Sequence, residues 1–139
     1  MLNAGILAIA SGMAAQACKV LVELVVRRRW RPRLFVLNGG MPSSHTATVT
    51  TLAVLVAEQV GVHDPVFSLV IVFALYVVLE ATGLRQEVGH QARLLNHLVA
   101  QLRRTHQLHA HDLREFMGHT WGEVLGGAVC GLVFAWIVS

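Results

Sequence analysis

PVFSLVIVFALYVVLEATG, Pro65–Gly83, carries a single charged residue, Glu80, close to its end. A run of this length and apolarity reads as a transmembrane helix, since roughly 20 such residues cross the hydrocarbon core of a bilayer. Three other stretches repeat the pattern. Residues 4–26 are interrupted by Lys19 and Glu23, residues 45–62 carry Glu58 near their far end, and residues 117–138 follow a polar segment. The chain has 139 residues, of which 55% are hydrophobic and 14% charged. Soluble domains carry about 25% charged residues. The expected fold is an all-α integral membrane bundle, a single domain over 1–139 with about four transmembrane helices. Met1-Leu2-Asn3 has no basic n-region and no small-residue cleavage site follows, so the first span is expected to be retained.

The arginines set an expected orientation. Arg27, Arg28, Arg29, Arg31 and Arg33 follow the first span, and Arg85, Arg93, Arg103, Arg104 and Arg114 lie between the third and fourth. The turn Gly61-Val62-His63-Asp64-Pro65 has neither Lys nor Arg. By the positive-inside rule, both basic loops face the cytoplasm and both termini face away from it. The expected location is the cell (inner) membrane. Anionic headgroups account for the net charge of +3, and no nucleic-acid partner is expected.

Between the third and fourth spans, Val88, Ala92, Leu95, Val99 and Leu102 recur at helical spacing. An amphipathic helix over 86–104, basic and beside a membrane, is expected to lie in the interface. His106, His109 and His111 fit no common zinc spacing, and no metal or other cofactor is expected. Asp112-Leu113-Arg114-Glu115 reads as a capping box. Cys18 and Cys130 fall within spans and read as packing residues. Gly118, Gly122, Gly126, Gly127 and Gly131 form a small-residue stripe on the fourth span. Such stripes let helices pack closely in lipid, and this one also offers a surface for a homo-oligomer.

The chemistry gathers around Gly39-Gly40-Met41-Pro42-Ser43-Ser44-His45, at the mouth of the second span. The glycines permit close backbone approach, Pro42 suits a first helical turn, and Ser43 or Ser44 can cap it. The N–H groups of that turn favour an anion. His45 adds a proton carrier near neutral pH. Polar groups within spans are costly. Lys19, Ser43, Ser44, His45, Glu80, Arg85, His119 and Glu123 come from all four spans, and the expected topology puts them at one membrane face. His119 and Glu123 stand four apart, the spacing at which a helix lets a carboxylate hold an imidazole. Two cations and a helix N-terminus suit a transferring phosphoryl group.

These residues resemble a known family. Gln16-x-x-Lys19, Gly39–His45, Gly83-Leu84-Arg85, Gly89-x-Gln91-Ala92-x-x-Leu95-Asn96 and Gly118-His119-Thr120-x-x-Glu123-Val124 look like the divergent branch of the phosphatidic-acid-phosphatase type 2 and vanadium haloperoxidase superfamily. The resemblance implies a metal-independent phosphatase. In it His119 is the nucleophile, Glu123 orients it, and His45 is the general acid. Lys19, Ser43, Ser44 and Arg85 hold the phosphate, with Gln16, Glu80, Gln91 and Asn96 in support. Relative to the wider superfamily, Ser44 stands where Gly is usual, Glu123 replaces Asp, and no Ser-Arg precedes His119.

The expected function is hydrolysis of a lipid phosphate at the cytoplasmic face, with membrane lipids as surroundings and a lipid phosphate as substrate. The alternative is a non-catalytic membrane protein that binds anionic lipid or phosphate. It would use the same cations and the same helix start but neither histidine.

Overall fold

The computed structural model describes residues 3–28, 30, 32–35, 40–105 and 120–139. Helix α1 spans Ala4–Arg27 and is followed by a 3-10 turn at Pro32–Phe35. Helix α2 spans Ser44–Val60 and α3 spans Pro65–Leu79. A π-helical segment, Glu80–Leu84, leads into α4, Arg85–Thr105, and α5 spans Trp121–Val138. No strand occurs among the described residues. The chain is an all-α bundle in which α2 is central, packing against α1, α5 and α3.

The bundle is built with small and polar residues inside and large apolar ones outside. On α1, Ala4, Ala8, Ser11, Gly12, Ala15 and Lys19 are all buried, at spacings that keep them on one face. Ile6, Ile9, Met13, Leu21 and Val25 on the other faces are exposed. On α5, Gly127, Gly131 and Ala135 are buried while Leu125, Val129, Leu132 and Trp136 are exposed. None of the residues of α3 is fully buried. This distribution suits a solvent as apolar as leucine, in which helices associate through close backbone approach.

Close approach is visible at three glycines. A methyl at Gly12 would collide with Thr48 Oγ1, and one at Gly127 with the Ser43 carbonyl. A methyl at Gly131 would come within 2.6 Å of the Ala47 carbonyl oxygen. The stripe on α5 is therefore occupied within the chain, by α2, at Gly127 and Gly131. Gly122 has only Thr120 Oγ1 nearby, at 3.9 Å. At the centre, the buried Thr51 hydroxyl donates to the Gly131 carbonyl at 3.0 Å and is paired with the Ser11 hydroxyl at 2.8 Å. That pair of bonds ties α1, α2 and α5 at one level.

Among the described residues, three helical stretches are long and apolar enough to cross a membrane: Ala4–Val26, Pro65–Leu102 and Trp121–Val138. Helix α2 has 17 residues, about 26 Å at 1.5 Å per residue. Its threonines, Thr46, Thr48, Thr50 and Thr51, face neighbouring helices where an outer helix would need apolar side chains. Burial at the centre of the bundle explains a composition more polar than that of its partners.

Two boundaries differ from the sequence reading. A third span ending at 83 and a separate amphipathic helix from 86 were expected. The helical backbone instead runs on from Pro65 to Thr105 through the π-helical segment. A widened turn frees carbonyl groups, and the Thr82 hydroxyl bonds those of Val78 and Leu79 at 2.9 and 3.3 Å. Gly83 therefore does not end the helix. The fourth span, expected from 117, begins as α5 at Trp121, because Thr120 is extended and caps it. The Thr120 hydroxyl accepts from the Glu123 N–H, and the Glu123 carboxylate accepts from the Thr120 N–H at 3.2 Å. The capping box expected at Asp112–Glu115 lies outside the described residues, as do His106, His109 and His111.

Both termini and the α2–α3 turn share one end of the bundle. There the Ser139 hydroxyl donates to the Glu58 carboxylate at 2.9 Å, and Leu55, Val56 and Ala4 form a buried apolar cluster with Leu7, Phe67 and Val138. Lys19, Ser43, Ser44, His45, Glu80 and Glu123 sit toward the other end.

Candidate functional site

The segment from Gly40 to Ser44 is held against two helices. Gly40 has φ +88°, a conformation that residues with a Cβ rarely adopt. Its backbone lies along the aliphatic stem of Lys19 on α1. The Ser43 N–H donates to the Glu123 carbonyl of α5 at 3.0 Å. Gly126 of α5 lies against Met41 and Pro42, and a Cβ there would come 3.1 Å from Met41 Cε. The start of α2 is thus clamped between the C-terminal half of α1 and the first turn of α5.

Ser43 is the N-cap of α2. It is fully buried, and its hydroxyl accepts from the Thr46 N–H at 3.4 Å and contacts the Thr46 hydroxyl at 3.1 Å. That hydroxyl is engaged as a helix cap. Ser44 and His45 open the helix and are both half-buried. The first N–H groups of a helix have no intrahelical acceptor, and the dipole makes their surroundings favourable to an anion.

Lys19 is 3% exposed, and its Nζ is buried with no hydrogen-bond partner among the described residues. It completes the inward-facing stripe of α1 and does not reach out along the surface. Its charge interacts with that of Glu123. Gln16 stands one turn earlier on α1, with Oε1 buried and likewise unpartnered among the described residues. Gln16 also lines a cavity together with Ser44 and His45 at the start of α2. A buried ammonium that makes no hydrogen bond is costly, as is an amide oxygen without a donor. Both groups are buried near the N-terminus of α2, whose first N–H groups favour an anion.

The remaining sequence candidates divide as follows. Glu123 reaches the site with its main-chain carbonyl on Ser43 and its carboxylate on Thr120. Glu80 opens the π-helical segment and is exposed. Arg85 begins α4, and Gln91 (exposed) and Asn96 (half-buried) follow on it. Helix α4 continues the π-helical segment and shares no substantial interface with α1, α2 or α5 among the described residues, so the described contacts do not bring Gln91 or Asn96 to Lys19. Of the stripe on α4, Ala92 is buried whereas Val88, Leu95 and Leu102 are exposed. His119 lies outside the described residues.

Sequence reasoning missed the Thr120 capping box and the inter-helix bond from Ser43 to Glu123. The signal for the first was present, as Thr120-x-x-Glu123 has the required spacing. The second is a main-chain contact and leaves no trace in residue types.

An all-α bundle with apolar outer faces, small-residue helix contacts and a buried lysine toward one end defines a helical membrane protein. The sequence matches the family described as the Divergent PAP2 family over residues 3–134, and the chain belongs to that family. It is also similar to the protein named "Uncharacterized membrane protein YuiD" of Bacillus subtilis (strain 168). The two are 32% identical over 136 residues, which cover 90% of this chain and 86% of the relative. No solved structure matches the chain significantly.

Proposed function

We propose that the protein is a membrane-embedded lipid phosphate phosphatase whose site opens toward the cytoplasm. The observation that carries this reading is Lys19, a buried and unpartnered cation placed beneath Gly40 beside the start of α2. Family membership supports phosphatase-type chemistry. The arginines that follow α1 supply the argument for the cytoplasmic side. In this mechanism Lys19 and the N–H groups opening α2 hold the phosphoryl oxygens, and Arg85 supplies a second cation. His119 attacks phosphorus, the ester P–O bond breaks, and His45 gives its proton to the departing oxygen. Water then cleaves the phosphohistidine and releases inorganic phosphate. The role of His119 rests on the sequence resemblance.

A second reading, binding of anionic lipid or phosphate without hydrolysis, draws on one observation. The Glu123 carboxylate is bonded to the Thr120 N–H, which engages one of the oxygens that would otherwise orient a histidine. Release of phosphate by purified protein from mixed lipid phosphates, without added metal, separates the two. Turnover lost in His119→Ala supports the enzyme. Phosphate binding without release, abolished by Lys19→Met, supports the binding protein.

A further inference from the structure

Helices α1 and α3 both pack on α2, but no comparable interface joins them to each other. The gap between them is a cavity of about 470 Å³, floored by α2. One part of its lining is polar, with Gln16, Ser44 and His45. The rest includes Ile9, Met13, Phe73 and Val77, and Gly12 keeps α1 close to Thr48 on the floor.

We infer that this groove seats one hydrocarbon chain of a lipid whose phosphate lies at the start of α2. The inference rests on the proposed anion site and adds to it the route and shape of the ligand. Three observations converge on this occupant. The volume lies within the range of small-ligand sites. Its polar lining includes Gln16, whose buried Oε1 is unpartnered among the described residues and which stands one turn before the buried Lys19 on α1. Its long walls belong to α1 and α3, both membrane-crossing stretches with exposed apolar outer faces. The gap therefore faces acyl chains, and a lipid enters sideways with its headgroup moving toward His45. Because the bilayer is as apolar as the groove, transfer of the chain gains little free energy. The walls act by shape, selecting one extended chain and setting the depth at which the phosphate rests.

The test uses the full chain in nanodiscs with an alkyl monophosphate carrying a diazirine at the end of its chain. Photolysis followed by mass spectrometry should place adducts on Ile9, Met13, Phe73 or Val77. An unlabelled alkyl monophosphate of equal length should remove them, and inorganic phosphate should remove them only at high concentration. Val77→Trp should lose these adducts, while Leu125→Trp, on the exposed face of α5, should keep them. Adducts spread evenly over outer-facing residues such as Leu125 and Val129 would overturn the inference, as would labelling of the groove that Val77→Trp leaves intact. The anion-site reading fails separately. If Lys19→Met leaves groove labelling unchanged and an alkyl alcohol probe labels as well as the phosphate, the groove binds chains and the phosphate site is wrong.

Discussion

The stem of Lys19 lies against Gly40, so close that a methyl on Gly40 would sit 3.4 Å from Lys19 Cδ. One residue belongs to the buried face of α1 and the other to the segment that leads into α2. Their contact sets where the ammonium group can reach. It also joins the backbone conformation of a glycine to the charge of the site.

Replacing Gly40 by Ala should therefore have two effects. A residue with a Cβ at φ +88° is strained by roughly 1–2 kcal/mol, and the added methyl presses on Lys19. The expected outcome is a lower unfolding midpoint together with weaker binding of phosphate or vanadate. Unchanged binding would show that the segment does not position Lys19.

Lys19→Met should separate stability from function. The substitution removes a buried, unpartnered ammonium and keeps a side chain of similar length. Burying such a charge is unfavourable, so the variant should be at least as stable as the parent in thermal unfolding. Hydrogen bonds to charged groups are worth about 1.5–3 kcal/mol, so phosphate affinity should fall by roughly tenfold or more. A destabilised variant with normal affinity would assign Lys19 a structural role.

The glycines of α5 should differ sharply in their tolerance. Gly131→Ala puts a methyl against the Ala47 carbonyl, and overpacking of this kind costs typically 1–3 kcal/mol. Gly122→Ala meets only Thr120 Oγ1 at ordinary contact distance and should be close to neutral. Thermal unfolding in detergent distinguishes the two, and equal effects would mean that α2 and α5 do not pack as described.

Glu123 carries a cap as well as a charge. Glu123→Gln keeps an oxygen able to accept from the Thr120 N–H, so the unfolding midpoint should stay near that of the parent. Thr120→Ala removes the other half of the box, at a cost of about 0.5–2 kcal/mol. If Glu123 also orients His119, Glu123→Gln should lower turnover at unchanged stability. Full turnover in that variant would confine Glu123 to capping.

Sidedness is open to labelling. With Cys18 and Cys130 replaced, a cysteine at Arg28 should react only with reagent on the cytoplasmic side, and one at His63 only from the other side. The reverse pattern would move the Lys19 site to the outer leaflet and take with it the argument for a cytoplasmic substrate.

Much of this architecture could be read from residue types. The inward stripe of α1 is written in Ala4, Ala8, Ser11, Gly12 and Ala15, and Lys19 falls on its continuation. Of Pro42, Ser43 and Ser44, the structure gives the cap to Ser43 and the first helical position to Ser44, and Pro42, expected in the first turn, precedes the cap. What could not be read depended on partners distant in sequence or on local hydrogen bonds. The Thr51 hydroxyl bonds Gly131, 80 positions away, and no spacing rule reports that. Gly83 looked like a helix end because glycine usually punctuates. The backbone instead stays helical through a widened turn, where the Thr82 hydroxyl bonds the Val78 and Leu79 carbonyls. The short, threonine-rich α2 reads as a weaker span than its neighbours because its surroundings are other helices.

The uninterrupted backbone from Pro65 to Thr105 makes α3 and α4 a single lever. Its shorter arm is one wall of the groove, and its longer arm bears Glu87, His90, Arg93 and His97. A continuous ladder of hydrogen bonds transmits tilt from one arm to the other, with give concentrated at the π-helical turn where the ladder changes register. A change in the direction of α4 is therefore linked, through that one turn, to the α3 wall of the groove.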